Sequence, residues 1–468
     1  MTDLDTEPTS THTPEERALA GREARDRLPR ARLAEWAPAA DRPDPVELLL
    51  ADEGDRIPEL LPLRHERMAA SPFAFYRGSA IIFAADAASR PDTGLRAQLC
   101  GDAHLANFGG YATPERELVF DLNDFDETCP GPFEWDLSRL AASFEVGGRA
   151  NGLDQASRAL AVQAVATGYC SRMAELGRMG NLELVAARML VSDAGAEVKA
   201  TASRDAMRRF RDNVRKTRSR NRMKALAKLT EVVDGELRFL SDPPILVRIH
   251  ELFEDDLAEL VRQHVGAALD GYRESLSPDR RALMDRYRLV DVARKVVGVG
   301  SVGTRCWVAL FVGRDQLDPL FLQVKEAGPS VLEAYAGASR YENHGQRVVE
   351  GQRLQQSATD ILLGWTRVAD REGRSHDYYV RQLWDQKGSA ALDQLDADSM
   401  RAYAQICGQT LARSHARSGD PIAISAYLGG GKSTGRALVE FSRAYADQNE
   451  ADHARFAAHL GSDGTLQG

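Results

Sequence analysis

Apolar residues recur at helical spacing over long stretches of the chain, while runs suited to strands are short and few. Between 135 and 146, Leu137, Leu140, Ala141 and Phe144 share one face, which predicts a buried helix. Apolar runs over 95–99 and 117–122 predict two short strands, each leading into a polar cluster. Residues 71–85 begin with Ser-Pro, carry Phe73, Phe75 and Tyr76, and pass Arg77-Gly78 into an apolar run; they predict a buried helix or strand around a turn. Residues 151–230 and 250–287 predict helices. Between them, Val232 to Leu237 has a hairpin signature, Asp234-Gly235 between apolar runs.

From 292 the period shortens. Val296-Val297, 306–312 and 320–324 predict strands around a glycine-rich loop, and 342–357 predicts a helix. Two more strands are expected over 361–368 and 378–384, a helix over 400–417, and a strand or loop followed by a helix from Pro421 onward. Helical flanks around a small antiparallel sheet predict an α+β fold. The divisions expected are a loose polar arm over 1–45, a mostly helical lobe over 46–287, a small β-rich lobe over 288–390, and C-terminal helices over 391–468 packed on the helical lobe.

Composition narrows the possibilities. A chain of 468 residues exceeds one ordinary core, and 43% hydrophobic with 28% charged residues suits a soluble globular protein. The net charge of -9 disfavours a protein that coats nucleic acid. No apolar run approaches the roughly 18 residues of a membrane span. The polar N-terminus lacks a signal core, and five scattered cysteines without a CxxC pair predict a reduced, cytoplasmic protein without structural zinc. Only 8 of the 60 basic residues are Lys, so each Lys is informative. Residues 204–228 hold 11 basic residues against 2 acidic ones, but with Phe210 as their only aromatic they predict a solvated helix before a nucleic-acid platform.

The chemistry concentrates in Cys100-Gly101-Asp102-Ala103-His104-Leu105-Ala106-Asn107 and Asp121-Leu122-Asn123-Asp124-Phe125-Asp126-Glu127. Carboxylates and an Asn are hard oxygen ligands of the kind Mg²⁺ prefers. Asp102, with His104 beside it, is placed to orient an attacking hydroxyl. Asn107 and Asp124 are placed to ligate Mg²⁺ bridging nucleotide phosphates, with Asp126 and Asp121 as further candidate ligands.

These segments, followed by Gly131-Pro132 and Asp136-Leu137, resemble the catalytic segment of aminoglycoside and choline kinase-like phosphotransferases. The resemblance implies that Asp102 is the catalytic Asp, that Asn107 and Asp124 hold metal, and that Asp136 caps a helix while bracing the catalytic loop. Cys100 departs from the family's His. The same stretch, with Ser71-Pro72-Phe73 and Arg77-Gly78, also resembles a bacterial family known as domain of unknown function 2252, over most of the chain.

Gly298-Val299-Gly300-Ser301-Val302-Gly303 lies between strand-like segments, without the helix that a dinucleotide site requires. Strand, glycine loop, strand is the kinase arrangement. Phe321 to Lys325 resembles the kinase strand whose Lys holds the α- and β-phosphates, with Glu350, or the nearer Glu333, as its partner on a following helix. These elements follow the catalytic loop instead of preceding it, so the expected architecture is a kinase-like two-lobe fold in circularly permuted order, with extra helices. Residues 411–415 resemble the helix that normally feeds the catalytic loop. Two weaker patterns are the P-loop-like run from Ala426 to Gly431-Lys432-Ser433, read as a flexible turn, and His415 with Asp420.

The expected function is ATP- and Mg²⁺-dependent phosphotransfer to an unidentified hydroxyl-bearing acceptor, with no membrane partner. A metal-dependent phosphoesterase using the Asp/His/Asn cluster and a non-catalytic nucleotide-binding protein are the alternatives.

Overall fold

The structure, a computed structural model, describes residues 11–462 apart from 202, 221, 234, 297, 370–372 and 384–385. Asp234, Val297 and Trp384, on which turn and strand expectations fall, lie outside the described residues, as do the first ten residues of the expected arm.

Four short strands carry the acidic motifs: β1 (Arg96–Leu99), β2 (Phe108–Ala112), β3 (Leu118–Leu122) and β4 (Cys129–Pro132). β1 pairs antiparallel with β4, and β2 with β3. Their apolar side chains share one core with the helices Phe133–Ala150, Gln155–Leu176 and Ala397–Ala416. The last two helices touch at glycines. A Cβ at Gly168 would lie 2.2 Å from the Gln405 carbonyl oxygen, and one at Gly408 2.2 Å from that of Val165, so side chains are excluded at both points.

β5 (Thr230–Val233) and β6 (Glu236–Phe239) form the expected hairpin. β7 (Leu246–Arg248), β8 (Arg288–Lys295), β9 (Cys306–Val312), β10 (Pro319–Ala327), β11 (Gly364–Ala369) and β12 (Ser375–Gln382) follow. They form an antiparallel six-stranded sheet in the order β11-β12-β10-β9-β8-β7. The helix His344–Gln355 lies between β10 and β11 in the chain. Side chains alternate between two cores, as a period of two demands. Ala309, Phe311 and Leu322 meet Leu269 and Tyr272 of the Asp255–Glu274 helix. Val308, Leu310 and Phe321 meet Ala225, Leu229 and the β5–β6 hairpin. Sheet (16%) and helix (55%) are largely segregated along the chain, which makes the class α+β.

Several expectations need correction. The arm is no loose tail from Pro14 onward: Pro14–Arg27 is a helix, tied by Arg17 to Asp420 (2.8 Å) and by Arg25 and Arg30 to the carbonyls of Tyr427 and Leu428 (both 3.0 Å). Its buried residues are only Gly21 and Ala24, so arginine ends and not an apolar stripe hold it. Residues 71–85 take the helical one of the two expected forms, as the helices Pro72–Gly78 and Ala80–Ala88 on either side of the turn. Among the described residues from Pro421 onward there is no strand; helices Pro421–Leu428 and Lys432–Ser462 flank the Gly429–Gly431 turn. Two elements also cross the expected boundaries. β7, from the 46–287 segment, edges the large sheet, and β13 (Gly388–Ser389) pairs with β2. The basic segment forms helices Arg204–Ser219 and Arg222–Leu229, and all its basic residues except the half-buried Arg209 and Arg220 are exposed, a solvated face.

Candidate functional site

Strand pairing brings the two acidic segments together. The register Leu99↔Cys129 sets the 100–104 loop beside the 124–127 loop. Gly101 has φ of 85°, and a Cβ there would lie 2.0 Å from the Glu127 carbonyl oxygen, so this contact requires glycine. The register Phe108↔Leu122 places Asn107 beside Asn123, whose amide donates to the Asn107 carbonyl (2.8 Å). Asp102, His104, Asn107, Asp124 and Asp126 therefore line one cleft of about 510 Å³.

Asp136, in the first turn of its helix, accepts from the backbone amides of Cys100 (2.8 Å) and Gly101 (3.1 Å). It braces the loop as the resemblance implies, although Pro132 and not Asp136 is the helix cap. His415, at the end of the Ala397–Ala416 helix, lies 3.3 Å from Asp136 and hydrogen-bonds Tyr169 (2.8 Å). Asp420 instead caps the following helix, accepting from the amides of Ile422 and Ala423, which removes the His415–Asp420 pairing.

The Asp102 carboxylate accepts from Arg139 Nε (2.6 Å). Burial pushes Asp102 up to about 6, against the pull of the Arg139 guanidinium. His104 Nδ1 accepts from the Ala106 amide (3.1 Å), so its proton sits on Nε2, 3.5 Å from Asp102 Oδ2. Burial and the nearby Arg77 and Arg139 hold His104 well below the usual imidazole range, so it is neutral. It can orient Asp102 but not serve as its cation.

Asn107 Nδ2 donates to the Asp102 carbonyl (2.6 Å), which leaves Oδ1 as the acceptor atom of the amide. Asp124 Oδ1 takes a 3.3 Å contact from the Asp126 amide, and Oδ2 remains. Two hard oxygens on one cleft wall fit Mg²⁺, which keeps waters and substrate phosphates as its other ligands. Among the described residues, no group of three or more His, Cys, Asp or Glu is arranged to hold a metal. Two expected ligands have other work. Asp121 is fully buried, paired with Arg413, and accepts from the Ser357 amide (3.1 Å). Asp126 is the counter-ion of Lys325 and also accepts from Tyr379 (2.8 Å) and Ser301 (3.2 Å).

Lys325 on β10 donates to Asp126 and to Ser301 Oγ (2.7 Å). Burial opposes its charge, yet Asp126 raises it above the ordinary lysine value. Asp126, buried as well, is pulled down to about 2 chiefly by Lys325. The expected Glu partner is thereby corrected: Glu350 pairs with Arg353 (2.9 Å), and Glu333 lies 3.4 Å from Arg347. The charged residue that the His344–Gln355 helix turns toward the motif is Arg347, which donates to the carbonyls of Asp126 and Thr128 (2.7 Å each).

The glycine loop between β8 and β9 is fixed through its carbonyls. Arg67 donates to Gly298 (2.8 Å), Arg64 to Val299 (3.3 Å) and Gly300 (2.8 Å), and Arg56 to Gly300 and Val302 (2.9 Å each). In a trans peptide the N–H points opposite its C=O, so the amides of Gly300 and Ser301 face away from these arginines. Gly298, Gly300 and Ser301 line the cleft; Gly303, with φ of 93°, accepts from the Ile57 amide (2.7 Å) behind it.

Arg139 and Lys387 escape sequence reasoning. Arg139 follows Asp136 by three residues, one helical turn, and that spacing is the signal that could have found it. Lys387, one of the eight lysines, donates to the Asn123 carbonyl (3.3 Å), and burial with Arg381 nearby brings it down to about 7. A second cavity of about 350 Å³ lies behind β2 against the Arg204–Ser219 helix; its lining is chiefly apolar and carries none of these groups.

A family model described as an uncharacterized protein conserved in bacteria (DUF2252) matches residues 56–459. No curated protein and no solved structure matches the chain.

Proposed function

The chain belongs to the conserved bacterial family designated domain of unknown function 2252, and we propose for it an ATP- and Mg²⁺-dependent phosphotransferase activity, in a kinase-like two-lobe fold of permuted chain order. The observation that carries this reading is the Lys325–Asp126 ion pair. It ties the strand and its Lys to the loops of Asp102, Asn107 and Asp124, at the base of a cleft that these loops and the glycine loop line together. Kinases hold a nucleotide between these same parts, a glycine-rich loop and strand Lys on one side and an Asp/Asn/Asp set on the other.

In this reading the acceptor hydroxyl oxygen attacks the γ-phosphorus. The bond from phosphorus to the β–γ bridging oxygen breaks, its electron pair leaves with ADP, and the hydroxyl proton passes to Asp102. Arg139 and His104 fix the Asp102 carboxylate, so no reorientation accompanies proton acceptance. The Gly300 and Ser301 amides cover the phosphates, and Lys325 offers its third N–H. Asn107 Oδ1 and Asp124 would hold Mg²⁺, which when bound neutralises charge on the phosphates.

Calorimetric titration with MgATP and a turnover assay on wild type, Asp102→Ala and Lys325→Ala test the proposal. Wild type and Asp102→Ala should bind, Lys325→Ala should bind weakly, and only wild type should turn over. A folded wild type that leaves MgATP unbound ends the reading, and phosphoester hydrolysis without nucleotide binding would turn it to a phosphoesterase. Transfer of AMP would keep the site and change the reaction.

A further inference from the structure

The cleft contains a cation whose use is unexplained by the parts already assigned. Arg77 sits in the last turn of the Pro72–Gly78 helix and lines the cleft with Asp102, Asn107 and Asp124. Among the described residues it makes no hydrogen bond or ion pair. Its contact is a guanidinium lying 5.9 Å from the Phe73 ring centre, and its Nε is buried without a partner. The residue is half-buried, so its charge is partly removed from water with no protein acceptor in exchange, and a ligand oxygen in the cleft would complete it.

Its surroundings say which ligand. The glycine loop lies directly against it: a Cβ at Gly300 would be 3.3 Å from the Arg77 carbonyl oxygen. Arg64 clamps the same two pieces, donating to the carbonyls of Gly78 (3.1 Å) and Gly300 (2.8 Å). On its other side the charge of Arg77 is felt by Asp102 and by Asp124. Arg77 thus stands where the loop that covers phosphates, the acceptor-orienting Asp and the metal-binding Asp converge. The remaining cations near that point are engaged. Lys325 uses two of its three N–H on Asp126 and Ser301, and Arg139 is held by Asp102 and the Tyr76 carbonyl (2.9 Å).

We infer that Arg77 binds the γ-phosphoryl group of the nucleotide, the group to be transferred, and is a catalytic residue supplied within the chain. This rests on the phosphotransferase reading. A guanidinium at that place offers paired N–H donors to the equatorial oxygens on which charge gathers during transfer. The bonds broken and formed are those already given; Arg77 exchanges no proton and only neutralises charge.

Binding separates this from other roles, because ADP lacks the group that Arg77 would touch. MgADP and Mg-AMPPNP, a non-hydrolysable ATP analogue, are titrated into wild type, Arg77→Ala and Arg77→Lys, with circular dichroism and melting to verify folding. Arg77→Ala should bind AMPPNP roughly tenfold to a hundredfold more weakly, the range for a hydrogen bond to a charged group, while its ADP affinity stays within about twofold. Arg77→Lys should fall between. Unchanged affinity for both nucleotides, as expected if Arg77 held an anionic acceptor, overturns the inference, and so does an equal loss for both. If wild type binds neither nucleotide, the phosphotransferase reading itself has failed and the inference falls with it. An Arg77→Ala protein that does not fold leaves the decision to Arg77→Lys, which must lose AMPPNP affinity selectively.

Discussion

Lys325 and Asp126 form an ion pair between residues 199 positions apart, one on a strand of the six-stranded sheet and the other on the loop after β3. Lys325 is almost wholly buried, so removing its partner strands a charge. Asp126→Ala should therefore cost about 3 kcal/mol or more of stability in denaturant melts. The double variant Asp126→Ala with Lys325→Met should lose less than the sum of the single changes, since no unpaired charge remains. Additive losses would show that the pair is not coupled. The sign of the pH effect follows from Asp126 lying near 2 when folded and near 4 when unfolded. Its stabilisation is full above pH 4 and is lost as pH falls toward 2, and an Asp126→Asn protein should lack that part of the acid slope.

In the phosphotransferase reading, the pair of Asp102 with Arg139 should set the pH dependence of turnover. Asp102 accepts a proton only when ionised, and burial raises it to about 6. Turnover should rise with pH through about 6 and then level off. Arg139→Gln removes the cation that favours the carboxylate, so the acid limb should move to higher pH while MgADP affinity changes little. A limb that stays at the wild-type position in Arg139→Gln would assign it to another group.

Asp121 and Asp102 are both acidic residues of the same motif region, yet their settings predict opposite phenotypes. Asp121 is fully buried against Arg413 and also accepts from Ser357, so Asp121→Asn should destabilise by about 3–5 kcal/mol. At a temperature where it remains folded, nucleotide affinity should be near that of wild type. Asp102→Asn should melt within about 1–2 kcal/mol of wild type, because burial already disfavours the Asp102 charge and its side chain, unlike that of Asp121, is partly exposed to the cleft, and should lose turnover. Chemical denaturation alongside calorimetry reads both properties.

These contrasts show what could be read from the chain. The strands and helices around the motifs followed from apolar spacing, and Asp102, Asn107 and Asp124 stood out because their ligand types sit at the spacing that strand pairing brings together. Lys325 was visible because lysine is scarce. Its partner was not, because Asp126 reaches it only through the stacking of the sheet on the 124–127 loop, and analogy pointed to a helix Glu. The roles of Arg77, Arg139 and Arg347 were hidden for the converse reason: arginine is the common cation of this chain, so Arg77 stood only as part of a family motif and Arg139 only as a residue one helical turn from Asp136 until their surroundings were known. The helix Pro14–Arg27 was missed because it is held by arginine ends on backbone carbonyls, a mode without hydrophobic periodicity.

The arginine clamp on the glycine loop gives the last prediction. Loops with many glycines lose much entropy on ordering, and here that ordering is supplied in advance by Arg56, Arg64 and Arg67. Arg64 is the most buried of the three and holds both Gly300 and Gly78. Its removal leaves Glu53 with a partner, since His65 lies 2.9 Å from the same carboxylate, so Arg64→Met should lose only about 1–3 kcal/mol. The larger effect should be local. Amide hydrogen exchange over 298–303 should accelerate in Arg64→Met while the β9 and β10 amides keep wild-type protection. MgADP affinity should fall by roughly threefold to thirtyfold, the cost of ordering a few backbone units on binding. Arg67→Met, whose bond to Gly298 is exposed, should change both quantities less. Equal exchange in the two variants would place the loop's order in its own backbone turns, the Val302-to-Val299 and Thr304-to-Ser301 hydrogen bonds (3.3 Å each), instead of in the clamp.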